Sequence, residues 1–282
     1  MNILITGASS QIGRFMLPLL VRQGHSCLCV SRSEHADSKG VHWIRADLHH
    51  DMTETGQLEH VDVWIHLAIL PLAIAHMELA ASIGVYRFIA FSSTSIYTKQ
   101  TSDNSEEKRT IEELTEAASS IQSLCQQYEI AWTLFRPTMI YGSGMDQNIT
   151  FIQQVIQRFG FFPVAGVAKG LRQPVHAGDL ASACVAVIDQ EQSMNKAYNL
   201  SGGEILSYQD VVKRIFHTLD CPCRIIHLPS PIFKSVISVL KCFSSRYAFI
   251  QTSMVDRMNM DMVFDHMDAT HDFGYDPRPF QP

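Results

Sequence analysis

The sequence is short of the ingredients of non-globular chains. Of 282 residues only 11 are proline and 15 glycine, and charged residues make up 18% against 46% hydrophobic, which excludes collagenous, low-complexity and disordered classes. Basic residues are in deficit too. The 22 Lys and Arg are outnumbered by 28 Asp and Glu, for a net charge of −6, and they are scattered, so no nucleic-acid partner is expected. No apolar run reaches the roughly 20 residues of a membrane span. The most apolar window, residues 63–75, is interrupted by His66 and Pro71 and reads as a buried strand running into a helix. A strand pattern begins at Asn2 with no basic flank or cleavage site before it, so a secretory signal is not expected and the expected location is the cytosol. Seven cysteines are an odd number, and Cys27/Cys29 and Cys221/Cys223 lack C-x-x-C spacing. The 13 histidines show no H-E-x-x-H pattern. Reduced thiols and no metal are expected.

What is present is an alternation of short apolar runs with amphipathic stretches. Strands are predicted at 2–6, 26–30, 41–45, 61–67, 87–92 and 131–136, and helices at 11–23, 71–83 and 110–128. This is the pattern of βαβ units, and right-handed crossovers make it an α/β, Rossmann-like, doubly wound parallel sheet. The polar residues 98–109 read as a mobile surface loop of the kind that forms lids. After Tyr141 the apolar segments shorten, with one helix starting at Asp179 and another following Ser207, each with capping residues in place. The expected division is a nucleotide-binding domain over 1–140 and a smaller substrate-binding lobe over 141–282, interleaved with the first and lying over the carboxyl ends of the strands. Residues 231–243 are apolar, with Lys234 and Lys241 on one face. They fit a peripheral membrane contact, a cover over a greasy substrate, or a helix packed on the lobe or a second subunit, the commonest arrangement.

The strongest local motif is Ile5-Thr6-Gly7-Ala8-Ser9-Ser10-Gln11-Ile12-Gly13, a strand entering a glycine-punctuated turn that opens a helix. A helix N-terminus offers free N–H groups and a positive dipole end to a pyrophosphate. Gly7 would allow the tight turn and Gly13 the close approach of helix to sheet. The motif resembles the T-G-x-x-G-x-x-G opening of the extended short-chain dehydrogenase/reductases, the NAD-dependent epimerase/dehydratase family, with Ser10 in place of the middle glycine. Against the shorter T-G-x-x-x-G-x-G form the missing glycine falls at Gln11. Further segments resemble the family in order along the chain: Ala46-Asp47-Leu48, His66-Leu67-Ala68, Phe91-Ser92-Ser93-Thr94-Ser95-Ile96-Tyr97, Phe135-Arg136-Pro137-Thr138-Met139-Ile140-Tyr141-Gly142, Arg172-Gln173-Pro174-Val175-His176 and Phe273-Gly274-Tyr275-Asp276-Pro277.

The resemblance implies a nicotinamide dinucleotide held by Gly7, Ser9, Ser10, Gln11, Ile12 and Gly13 at the pyrophosphate. Asp47 and Leu48 would sit at the adenine, with Leu67, Ala68, Ser92, Pro137 and Thr138 along the rest of the cofactor. At the end of the second strand stand Ser31, Arg32 and Ser33 with no acid until Glu34. A guanidinium there suits a 2′-phosphate, so NADP(H) is preferred, with NAD(H) the alternative.

The family's catalytic Tyr-x-x-x-Lys pair, counted back from Arg136, falls on Thr110 and Leu114, and neither can act as that proton relay. Ser93 occupies the family's catalytic Ser/Thr position, with Thr94 beside it and Tyr97 as a displaced acid. Two functions stay open. One is an oxidoreductase or epimerase acting on a sugar nucleotide or carbonyl compound with a substituted proton donor. The other is a non-catalytic NADP(H)-binding protein of regulatory, redox-sensing or structural kind. The resemblance also implies a homodimer through residues 71–83 and 110–128.

Overall fold

The run Ile3-Leu4-Ile5 shows no polar alternation, and a strand with two apolar faces belongs in the middle of a sheet covered on both sides. It is so placed, with all three side chains buried. The fold comes from a computed structural model describing residues 1–50, 52, 58, 60–100, 104–243 and 253–282, with 239–243 by backbone alone. The first half runs β1 (Asn2–Thr6), α1 (Gln11–Arg22), β2 (Ser26–Ser31), β3 (Val41–Arg45), β4 (Val63–His66), α2 (Pro71–Ile74), α3 (Met77–Ser82), β5 (Arg87–Phe91), α4 (Ser95–Thr98), α5 (Ser105–Gln127) and β6 (Ala131–Pro137). The second half continues with β7 (Ile140–Tyr141), α6 (Ile149–Phe159), β8 (Phe162–Ala165), β9 (Leu171–Arg172), β10 (Val175–His176), α7 (Ala177–Ala186), β11 (Lys196–Leu200), β12 (Leu206–Ser207), α8 (Tyr208–Thr218), β13 (Ile225–Leu228), α9 (Ser230–Phe243), α10 (Ser253–Arg257) and α11 (Met267–Phe273).

Seven strands form one parallel sheet in the order β11-β6-β5-β4-β1-β2-β3. Chain order reverses between β1 and β4, and a crevice opens at such a switch point beyond the carboxyl ends of the strands. One face is covered by α1 and α7 through Met16, Leu20, Leu180 and Cys184. The other is covered by α2, α3 and α5 through Ala73, Met77, Ala117 and Ile121. A third core, from α6, α8, α9 and α10, joins Ile152, Ile156, Ile215, Phe233 and Val255. Around it lie the short pairs β10–β7, β12–β9 and β13–β8. Cys27, Cys29, Cys125 and Cys184 are buried free thiols, and burial pushes Cys27 up to about 11 and Cys125 up to about 12. Among the described residues no three His, Cys, Asp or Glu side chains gather as metal ligands, and no helix is long and apolar enough to cross a membrane.

The six predicted strands are all present, and β11 is a seventh, because Lys196–Leu200 finds its partner in β6, more than fifty residues away in sequence. The predicted helix 71–83 is broken into α2 and α3 at Ala75 and His76. His76 turns its Nε2 to the Leu48 carbonyl, 3.0 Å away, and this tertiary contact overrides the local pattern. Residues 98–109 are not one loop. Thr98 closes α4 and residues 105–109 are the first turn and more of α5, whose N-cap Asn104 accepts from the amides of Glu106 and Glu107 at 2.9 and 3.1 Å. Residues 101–103 lie outside the described set. α7 starts at Ala177 rather than Asp179, capped by the His176 ring. Ser207 caps α8 as its sequence suggests. In α9, Phe233 and Ile237 pack into the third core, so the segment 231–243 is a helix on the lobe.

Candidate active site

The crevice is built by the turn after β1. Gly7 adopts φ +76°, and a Cβ there would lie 2.8 Å from the Ala68 amide, so the turn sits directly against residues Leu67 and Ala68 at the end of β4. A Cβ on Gly13 would lie 2.0 Å from the Ala8 carbonyl, which lets α1 start tight on the turn. Ser10 is the N-cap of α1, and its Oγ accepts from the Gly13 amide at 3.3 Å. That role uses a lone pair and leaves its O–H free. The Gln11 and Ile12 amides have no intrahelical acceptor available to them. The Gln11 Oε1 and, across the crevice after β5, the Ser92 Oγ are buried without a partner. Close backbone approach, open first-turn amides and orphaned polar atoms together fit a bound pyrophosphate and nicotinamide. Ser9 is exposed on the same turn.

A polar chain fixes the floor. Trp64 Nε1 donates to Thr6 Oγ1 at 2.9 Å, Thr6 Oγ1 donates to His66 Nδ1 at 2.7 Å, and His66 Nε2 donates to the Ile69 carbonyl at 3.0 Å. The carbonyl can only accept, so the proton of the neutral ring is on Nε2. Burial holds His66 down at about 4.

At the far end of β2, Ser31 Oγ accepts from the Ser33 amide at 3.2 Å and meets His35 Nε2 at 3.2 Å. The His35 ring stacks on Trp43 at 4.1 Å. Nearby acids are engaged: Glu34 pairs with Arg45 at 2.9 Å, and Asp37 accepts from the Trp43 amide at 2.8 Å and meets His42 at 3.2 Å. Among the described residues, exposed Arg32 has no carboxylate partner. Asp47 accepts from the His49 amide at 3.1 Å, and the Leu48 carbonyl is held by His76.

The structure separates the residues proposed for chemistry. Ser93 Oγ accepts from both the amide and the hydroxyl of Ser95, at 3.1 and 2.8 Å, and keeps its own proton to donate. Thr94 spends its proton on the Pro137 carbonyl at 3.0 Å, and Thr138 spends its own on the Gln173 carbonyl. Thr94 straps the end of β5 to that of β6 and Thr138 ties β6 to the segment between β9 and β10, so Thr94 is not available as a proton donor. Tyr97 is half exposed and its hydroxyl accepts from Arg136 at 2.8 Å, while its ring leans on Phe264 at 5.7 Å. Thr110 is exposed and bonds back to the Glu106 carbonyl at 2.9 Å, and Leu114 packs into the core under α5.

A cavity of about 950 Å³ opens where the sheet meets the lobe, and its wall includes Gln11, Ser93, Thr94 and Thr138 but neither Tyr97, Thr110 nor Leu114. The α5 side chain that does reach it is Glu107. This buried carboxylate is 3.2 Å from Lys99 Nζ and accepts from Arg257 at 2.8 Å and Ser253 at 3.1 Å. Sequence reading missed it. The available signal was its i, i+4 spacing to Ile111 and alignment with the buried stripe of α5.

A model of the NAD dependent epimerase/dehydratase family matches residues 3–201. The chain belongs to that family. Among family relatives, a UDP-glucose 4-epimerase of Vibrio cholerae is 24% identical over 163 residues, 58% of this chain and 47% of that protein, so the match spans about half of the relative's length. NADH dehydrogenase [ubiquinone] 1 alpha subcomplex subunit 9 of Arabidopsis thaliana is 29% identical over 105 residues, 37% of this chain and 26% of that one. The UDP-glucuronic acid 4-epimerase of Bacillus cereus, solved in complex with NAD, superimposes with a TM-score of 0.75 at 15% identity, over 99% of this chain and 94% of that one. That likeness is one of fold.

Proposed function

We propose that the protein is an NADP(H)-binding oxidoreductase of this family that works on a carbonyl or alcohol held in the cavity, without the Tyr/Lys relay. The observation that carries this is Ser93, whose hydroxyl retains its proton and stands in a cavity wall that also includes Gln11, whose Oε1 is orphaned. In this reading Gly7, Ser9, Ser10, Gln11, Ile12 and Gly13 hold the pyrophosphate, and Asp47 and Leu48 flank the adenine. Ser31, Arg32 and Ser33 select the 2′-phosphate, and Leu67, Ala68, Ser92, Pro137 and Thr138 line the ribose and nicotinamide. The bound nicotinamide supplies or accepts the hydride. Ser93 donates a hydrogen bond to the substrate oxygen as charge develops on it. Lys99, ion-paired with Glu107 and part of the cavity wall, is the group placed to give a proton to the product oxygen. Residues 1–140 bind nucleotide and 141–282 supply the substrate wall, in a cytosolic setting.

A second reading, an NADP(H)-binding protein without turnover, is favoured by one observation: Thr110 and Leu114 both face away from the cavity. Nucleotide binding would then act by stabilising the native state. Calorimetric titration with NADPH and NADH, followed by loss of reduced nicotinamide against a panel of aldehydes and ketones, separates the two. Oxidation that falls at least about a hundredfold in Ser93→Ala, the low end for losing a positioned donor, supports the oxidoreductase. Binding with no oxidation across the panel supports the second reading, and binding of neither nucleotide overturns both.

A further inference from the structure

The wall of the cavity divides by chemistry. Its end at the sheet is polar, with Gln11, Ser93 and Ser95. Most of the remaining wall is carbon and sulfur, carried by Phe151 and Val155 of α6, Phe233 and Val236 of α9, and by Met254 and Phe264, with Gln147, Asn148 and Gln173 as uncharged polar members. Three apolar wall residues, Met145, Phe159 and Val236, are 47, 48 and 42% exposed, so apolar surface reaches the mouth, where it meets exposed Gln147 and Asn148.

The charged groups of the wall are already engaged. Among the described residues its cations are Lys99, Arg172 and Arg257. Arg172 donates to the carbonyls of Leu171 and Met260, each at 2.7 Å, and to that of Arg257. Its guanidinium also stacks over Tyr208 at 5.4 Å. Lys99 and Arg257 share the Glu107 carboxylate. The second acid, Asp146, is taken up by the Asn148 and Thr150 amides at 3.0 Å and the Thr150 hydroxyl at 2.6 Å. A diphosphate placed here would have to break one of these pairings before it gained a countercharge, and buried charges separated from their partners are costly. An uncharged chain would displace only water from apolar surface.

We infer that the cavity takes an uncharged amphipathic alcohol or carbonyl compound, its oxygen on the Ser93 hydroxyl and an aliphatic tail running between α6 and α9 to the mouth, and not a sugar nucleotide. This rests on the proposed reading for the position of the oxygen, while the tail site stands on the cavity alone. The helix α9 is then the cover of a greasy ligand as well as a packed element of the lobe.

The test is calorimetry on the full chain, with and without NADPH, using 1-alkanols from hexanol to decanol and, separately, UDP and UDP-glucose. Affinity is expected to rise about fourfold per added methylene until the cavity is filled, the equivalent of about 0.8 kcal/mol for each buried CH₂. Val236→Asp and Met145→Asp alter half-exposed residues at the mouth, and each is expected to weaken decanol at least about tenfold with little change in the unfolding midpoint. A flat response to chain length, or UDP binding more tightly than decanol, overturns the inference. Decanol binding without any turnover of alcohols or aldehydes supports the tail site and removes the oxidoreductase reading. Oxidation of NADPH by short aldehydes or ketones without alkanol binding removes the tail site and leaves the oxidoreductase reading standing, so the two failures are distinguishable.

Discussion

Thr6→Val removes one oxygen from the floor of the crevice while keeping the shape of the side chain. The hydroxyl accepts from Trp64 Nε1 and donates to His66 Nδ1, and all three residues are fully buried. The valine therefore leaves one donor and one acceptor unsatisfied where water has no access. Each such group costs about 1–3 kcal/mol, so the expected loss is about 2–6 kcal/mol, against a total stability of about 5–15 kcal/mol for a domain. Urea unfolding followed by tryptophan fluorescence measures it, with the midpoint falling at unchanged slope. Burial of His66 in this network makes the wild type acid-sensitive. His66 titrates at about 4 when folded, against 6.5 in its ordinary state, so between these values the unfolded chain binds more protons. The contribution is fully present above pH 6.5 and lost as pH falls toward 4, up to about 3 kcal/mol at about 1.4 kcal/mol per unit. A Thr6→Val loss under about 1 kcal/mol, together with wild-type stability flat from pH 7 to about pH 4, would refute the chain of donors and the tautomer it requires.

Arg32→Ala should weaken NADPH about 10- to 100-fold and leave NADH unchanged, since charge-assisted bonds are worth about 1.5–3 kcal/mol. Equal loss for both nucleotides in titration would contradict a 2′-phosphate contact. Stability should hardly move, because the side chain is exposed and ion-paired to none of the described residues. Gly13→Ala should cost about 1–3 kcal/mol in thermal unfolding and weaken either nucleotide, because its Cβ would meet the Ala8 carbonyl at 2.0 Å. An unchanged midpoint would show that α1 can pull back from the turn.

The fold was legible because strand length and full-face hydrophobicity are local properties. Ile3-Leu4-Ile5, Phe88-Ile89-Ala90 and the stripe of α5 announce their burial without reference to anything distant. The turn of Thr6, Gly7 and Gly13 was legible for a similar reason: a left-handed φ and a contact closer than a Cβ permits leave only glycine as an option. β11 was not, since Lys196–Leu200 is a strand by virtue of β6. The break between α2 and α3 depends on His76 reaching Leu48, a contact across twenty-eight positions.

The site divides along the same line. Sequence alone determined the α/β class, the place of the glycine turn after the first strand, and the lack of the Tyr/Lys pair at Thr110 and Leu114, because these are matters of residue type at fixed spacing. Which hydroxyls are free was decided only in three dimensions. Ser93 and Thr94 are neighbours of like chemistry, and one keeps its proton while the other gives it to Pro137. Glu107 looks like any acid in a first helical turn until Lys99 and Arg257 close on it from separate elements. Hydrogen bonds and ion pairs have a reach of about 3 Å, so the partner that sets a side chain's role is whichever one the folded chain brings within that distance, however far away it lies in the sequence.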